Sequence, residues 1–365
     1  HIFGELVFSR DMDIRKLRID LIRSKPYFWK LPLFSILTVL YLIHPANPLG
    51  ALAETLTGQG PNTDIAQDYY GFRAIVNHWD TYPPLSYIYQ QIGIDWGLSH
   101  KSTHPPTAFL FTALIAPFSW RLASALWGWL MLGLIVTSLR LYRVPWWLCF
   151  LCLLWPPVTF SLGQLTPIWL FCIALAYRNQ NKPNVSGIWI GIASLTKFFP
   201  ALLLIPLLRK HKWSSLIGFT MVWGIVLSLI IIINPDVIPR YIESNIINTP
   251  FNVLRADNTA FLPTLTRFLN WPGLTAGIIF LVATAWFGMN NWHIWEYLSI
   301  ALLPISWVYS LLPLLPGVLK KIDNPLAGII LLIPMISPSY GVIAPVAFLP
   351  VFILSGILLQ NNDRS

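Results

Sequence analysis

A chain of 365 residues that is 55% hydrophobic and only 11% charged is a poor fit to a water-soluble domain, which carries about twice that share of charge. Its net charge of +9 needs no nucleic acid to explain it, because Lys and Arg collect on the cytoplasmic side of membrane proteins. Apolar runs recur to the C-terminus, so the class is a polytopic, all-α membrane protein.

The 18 Trp and 13 Tyr suit interfacial belts, and the 30 Pro and 21 Gly predict short or broken helices. Residues 1–28 form a basic amphipathic segment on the cytoplasmic face, with Arg10, Arg15, Lys16, Arg18, Arg23 and Lys25 interleaved with Ile14, Leu17, Leu21 and Ile22. A single transmembrane domain then occupies 29–359. Its first pass, 29–44, delivers an outer loop at 45–120, in which 105–118 is expected to lie along the interface as an amphipathic helix. If 105–118 spanned instead, Arg140 and Arg143 would fall outside and every later basic cluster would invert with them.

With 121–139 as the second pass, the remainder alternates: 144–162, 164–177, 186–196, 198–208 and 214–233, then a second outer loop at 234–271. The passes 274–288, 296–306, 308–319, 325–338 and 342–359 follow, and 360–365 is a cytoplasmic tail. That makes about twelve passes with both termini inside, several of them short enough to require tilt or local thinning. Cys149, Cys152 and Cys172 lie in apolar runs and read as packing residues. Eight of the 15 acidic residues (Glu54, Asp64, Asp68, Asp80, Asp95, Asp236, Glu243 and Asp257) fall in the two outer loops, which should therefore meet around one site.

Asp64 and Asp68 are four apart, so on a helix both carboxylates project from one face. Sheltered from water, one can act as a general base; two can hold a divalent cation; or both are ordinary solvated acids. His104, before Pro105 and Pro106, either contacts a phosphate or caps and stacks. Lys197 stands alone between apolar runs, where a cation snorkels or meets an anion such as the phosphate of a lipid-linked substrate. Arg255 and Arg267, flanking Asp257 and Asn258, can clamp the same phosphate through their guanidinium forks. Gln164 bonds either a sugar hydroxyl or a neighbouring helix, and Ser306, Trp307 and Tyr309 close a span where an aromatic belt explains them equally well.

Together these stretches resemble glycosyltransferase family 87, the polyprenyl-phosphate-mannose-dependent mannosyltransferases of the GT-C class. The carriers are DIAQDYYGFRAIVNHWDTY, THPPTAFLFTALIAPFS, SLGQLTPIWLFCIALAYR, SGIWIGIASLTKFFPALLLIPLLRKHKW, DNTAFLPTLTRFL and LLPISWVYS, in the family's order over about residues 60–320. The resemblance implies a GT-C fold, a juxtamembrane helix at 105–118 and Asp64 as the catalytic base, with Asp80 and Tyr82 matching the family's Asp-x-Tyr. This chain departs from the pattern at Asp68, where Tyr is common, at His104, where Tyr is usual, and at Tyr309, where His is common. The implied reaction is hexosyl transfer, with mannose as the expected sugar, from a polyprenyl-phosphate donor to a lipid or glycan acceptor, with inversion. In that reading Lys197, Arg255, Arg267 and His104 hold the donor phosphate. Gln164, Asn258, Asp80, Tyr82, Trp307 and Tyr309 face sugar or acceptor. A single base suffices, so no cofactor is called for, although a divalent metal stays open. The protein is expected in a bacterial plasma membrane with its site on the outer side. The competing classes are a transporter or lipid flippase and a non-catalytic GT-C relative in a larger complex. A flippase or transporter should show paired halves and buried acids in its spans, whereas no repeat is visible here and eight of the 15 acids fall in the outer loops.

Overall fold

The computed structural model describes residues 30–45, 47–60, 62–94, 101–156, 159–247, 258–304, 306–337 and 344–360. The basic segment at 1–28, Asp95, Arg255, Asp257 and nearly all of the tail at 360–365 lie outside them. The described residues form helices and turns with no strand; the one ladder contact is an isolated antiparallel bridge between Pro84 and Lys101.

Three helices are long and apolar enough to cross a bilayer: Trp120–Leu141, Ser214–Ile233 and Phe261–Phe287. A fourth crossing is available if Lys30–Ile43 and Pro48–Leu56, which meet at 64°, act as one bent span. The other expected passes are shorter or interrupted, and proline is the main reason, since it removes a helical N–H and clashes with the preceding turn. The stretch 144–162 divides into Trp146–Leu151 and Thr159–Leu162. The stretches 198–208 and 308–319 each begin as 3-10 helix, at Phe199–Leu203 and Val308–Leu314, before turning α-helical. The expected interfacial helix at 105–118 is not continuous either. It consists of a single turn at Pro106–Phe109, a 3-10 turn at Leu110–Thr112 and a run of turns.

One boundary moves in the opposite direction. The pass expected to start at 274 begins at Phe261, so Arg267 sits on a helix rather than in an open loop. That helix is bent at Asn270 (φ 55°, ψ −144°), two residues before Pro272.

Close helix contact holds the bundle together where side chains are small. Pro183–Ser194 packs against Ser214–Ile233 through Gly187 and Gly218; a Cβ on Gly187 would run into the Ser215 carbonyl oxygen, and one on Gly218 into that of Asn184. Trp127, Trp155 and Trp169 are fully buried core residues rather than belt residues, and the indoles of Trp127 and Trp155 donate to the Gly163 and Leu331 carbonyls at 3.0 and 3.1 Å. Trp129, Trp146, Trp147, Trp213, Trp271 and Trp286 are exposed, as an interfacial or lipid-facing ring requires. All three cysteines are buried and free.

The two ends of the Trp120–Leu141 helix differ in chemistry. Just past its C-terminal end, Tyr142 donates to the buried Glu296, which also accepts from the Trp292 indole at 2.6 Å and pairs with His293 at 2.6 Å. Lys320 joins this cluster through Tyr177 (2.8 Å) and His293 (3.0 Å). At the other end, Trp120 packs edge-on against Tyr69, one residue from Asp68. A helix of 22 residues sets these groups about 33 Å apart. Glu296 is the common acceptor for three groups from two helix ends, so Glu296→Leu should leave them unpaired and cost about 3 kcal/mol. The check is a lowered unfolding midpoint of the purified protein.

Candidate functional site

A cavity of about 610 Å³ lies at the Asp64 end of the bundle. The Thr63–Asn77 helix supplies its carboxylate. That helix starts at Asn62, held at φ 41° with its side chain turned away from the usual cap bond. The Asn62 amide instead donates to Ser124 and accepts from Thr55 at 3.2 Å, and Thr55 in turn donates to the Phe160 carbonyl at 2.9 Å. Three neighbouring segments thereby fix the helix start, and Asp64 falls in its first turn, where the aligned peptide dipoles favour negative charge.

Asp64 is partly buried, with its open side on the cavity. Gln67 donates to it weakly at 3.4 Å, and the Tyr309 phenol also bonds to it. Burial raises its carboxyl to about 6; His104 and Lys197 oppose that rise and Asp68 adds to it. It therefore ionises in the range where a general base is most useful.

Asp68 has different surroundings. Although one turn from Asp64, it is fully buried, does not line the cavity, and meets the His104 Nδ1 at 2.8 Å. The expected single face splits because the whole N-terminal half of the helix is enclosed, so residues four apart meet different neighbours. His104 lines the cavity. Its backbone N–H donates to Ser102 at 3.3 Å and its carbonyl accepts from the buried Tyr82 phenol at 3.1 Å. Burial lowers the His104 imidazole, but the charge and hydrogen bond of Asp68, with Asp64 behind, raise it further, and the net shift is upward.

Lys197 enters from the turn between Pro183–Ser194 and Phe199–Leu203. The Leu195 carbonyl in that turn accepts from Thr107 at 2.6 Å, which ties the lysine segment to the Pro-Pro turn. The ammonium donates to Ser310 at 3.3 Å and lies 5.6 Å from the centre of the Tyr309 ring. Burial lowers Lys197 to about 8, against the pull of Asp64. Tyr309 stacks on Trp307 with centroids 6.3 Å apart, giving the cavity an aromatic wall.

Of the candidate residues, Asp64, His104, Lys197, Trp307 and Tyr309 line the cavity. Asn258 does not: its amide donates to the Pro304 carbonyl at 2.9 Å and accepts from the Ala260 and Ser306 N–H groups at 3.0 Å each, a clamp that sets the chain entering Trp307. Tyr82 supports the His104 backbone from behind, and Asp80 bonds the Tyr82 N–H at 3.1 Å and faces Arg240 at 3.8 Å. Gln164 is buried with its Nε2 lacking a hydrogen-bond partner, and Arg267 is half-buried; neither lines the cavity. The two segments expected as outer loops meet, since Tyr82 contacts Tyr241 at 5.8 Å and both Ile238 and Tyr241 reach the cavity.

Several contributors escaped the sequence reading. Gln67, Tyr241, Lys101 and Trp223 sit in stretches whose periodicity marks only a helix or a loop, and Ser310 is an ordinary small polar residue until it meets Lys197. Phe198 and Phe199, beside Lys197, were accessible: a cation followed by two rings at a chain break is the composition of a wall. Among the described residues no group of three or more His, Cys, Asp or Glu is arranged to hold a metal ion.

The model of glycosyltransferase family 87 matches residues 103–316. That is more than half of the chain, which belongs to this family. The matched stretch contains His104, Lys197, Trp307 and Tyr309 and leaves Asp64 and Asp68 before it. No curated protein and no solved structure matches the chain.

Proposed function

We propose that this member of glycosyltransferase family 87 transfers a hexose, mannose in the first instance, from a polyprenyl-phosphate donor to a hydroxyl of a lipid or glycan acceptor. The observation that carries the reading is one cavity bounded by a carboxylate ionising near neutrality, two cationic side chains and an aromatic wall. A lipid phosphate sugar needs those parts. Lys197 and His104 meet the phosphate, Trp307 and Tyr309 pack against the sugar ring, and Phe198, Phe199, Trp223 and Leu227 offer an apolar flank for the tail. Asp68, fixed by His104, is assigned no proton transfer with the acceptor.

In the proposed step the acceptor O–H gives its proton to Asp64 while its oxygen attacks the anomeric carbon from the face opposite the phosphate. The carbon–oxygen bond to phosphate breaks, its electron pair stays on the phosphate, and configuration inverts. A phosphate leaving group needs no acid to protonate it; the nearby ammonium stabilises its growing charge. The basic ends at Arg140, Arg143, Arg178, Lys320 and Lys321 support placing the cavity on the extracytoplasmic side.

The test is transfer of radiolabel from polyprenyl-phosphate-[14C]mannose to a membrane lipid extract by the purified protein, followed by the anomeric configuration of the product. Label should move, and the product should carry the opposite anomer. Hydrolysis alone, or no turnover with this donor while another lipid-phosphate hexose reacts, would revise the acceptor or the sugar. A retained configuration would overturn the one-base mechanism.

A further inference from the structure

We infer that Asp68 is a positioning residue for His104: its carboxylate accepts a hydrogen bond from Nδ1–H and holds the ring as a cation whose Nε2–H is offered to an anionic oxygen of the substrate phosphate. The inference rests on the proposed lipid-phosphate donor, but its geometry is independent of which sugar moves. Asp68 is fully buried, its Oδ1 lies 2.8 Å from His104 Nδ1, and its Oδ2 has no hydrogen-bond partner, so the imidazole is its side-chain partner. The ring belongs to the cavity lining, and among the described residues its Nε2 takes no hydrogen bond. The bond to Oδ1 fixes the ring plane, while Tyr82 and Ser102 fix the backbone on either side.

The titratable groups around the ring decide its charge. Asp64 and Asp68 come from the Thr63–Asn77 helix, Lys197 from the turn opposite, Lys101 from the chain just before it, and Tyr82, Tyr241 and Tyr309 contribute neutral phenols. Burial of the ring and, less strongly, Lys197 disfavour imidazolium, but the charge and hydrogen bond of Asp68 with the charge of Asp64 outweigh them, and burial of Asp68 leaves it no aqueous counterion.

The direct experiment is an NMR titration of 15N-histidine-labelled protein in nanodiscs, with the His104 signal assigned by its absence in His104→Gln. In the parent protein His104 should stay protonated on both ring nitrogens through neutral pH, whereas in Asp68→Asn it should become a single-proton tautomer at least one pH unit lower. An unchanged titration in Asp68→Asn overturns the inference, even if the enzyme proves to use a different donor. Kinetics supply the second arm. Asp68→Asn should raise the donor KM about tenfold near pH 7.5, with partial recovery on acidification to pH 6.5, and should add less than twofold when introduced into His104→Gln. A cost that persists undiminished in the His104→Gln background, or that is the same at both pH values, would mean that Asp68 acts on the fold rather than through the imidazole.

Discussion

Asp64→Asn should lower sugar transfer by roughly 10²–10⁴-fold, the range carried by a positioned general base, while leaving the fold and donor binding in place. The amide keeps the size of the carboxylate and can still bond to Gln67 and Tyr309, so little packing is lost. What disappears is the group that takes the acceptor proton. The parent enzyme should carry the matching pH dependence. Only the ionised carboxylate accepts a proton, and burial has raised Asp64 to about 6, so the base form is present above that value and lost below it. The rate should thus fall about tenfold per pH unit once the pH is well below 6. Above about 8 the Lys197 ammonium discharges, and the rate should decline again. Full activity in Asp64→Asn, or a pH profile flat from 5 to 7, would remove Asp64 from the mechanism.

Lys197→Gln is the second large effect. A charge-assisted contact to the leaving phosphate is worth about 3 kcal/mol in a water-poor site, or roughly 100-fold in kcat/KM. Both terms should move: KM rises because the donor phosphate loses a cation, and kcat falls because the charge developing on that phosphate is less well met. Lys197→Arg should recover part of the loss, since charge returns but the guanidinium needs more room beside Ser310 and Tyr309. Steady-state kinetics over a donor concentration series separate the two terms. If Lys197→Gln changed neither, the phosphate would have to be bound elsewhere in the cavity.

Much of the site was legible in the sequence because membranes make charge conspicuous. Lys197 stood out as a lone cation in an apolar run, and it enters the cavity beside Tyr309. Asp64 and His104 stood out as polar residues in the first outer segment, and both line the same cavity. The different surroundings of Asp64 and Asp68 were not legible. Helical spacing says that two residues lie on one face, but only packing says whether that face meets space or another side chain. The backbone partners of Asn258 were not legible either: its amide bonds the Pro304 carbonyl and the Ala260 and Ser306 N–H groups, contacts that only the folded chain shows.

The helix boundaries show the same limit. A proline is a stop signal in a sequence, yet Pro272 lies inside Phe261–Phe287 because the chain bends at Asn270 and continues, carrying Arg267 onto the helix. At 105–118 an interfacial helix was expected from the sidedness of Arg140 and Arg143 and from the family resemblance, but the chain tightens into 3-10 and turn geometry after one α-turn. Of the three helices long enough to cross, Trp120–Leu141 and Ser214–Ile233 fall on expected passes and Phe261–Phe287 overlaps one but starts earlier, and the shorter or interrupted stretches are where the count of twelve outruns what single helices provide.

The claim at the centre of these proposals is that the phosphate and the reacting sugar carbon occupy the space between Lys197, His104 and Asp64. Its most direct test is a cryo-EM structure of Asp64→Asn with a polyprenyl-phosphate-mannose bound, a variant chosen because it should bind donor without consuming it. The expected density has the phosphate against Lys197 and His104, the sugar beside Trp307 and Tyr309, and the anomeric carbon turned toward residue 64. A phosphate bound at any other end of the bundle, or a sugar facing away from residue 64, would contradict it.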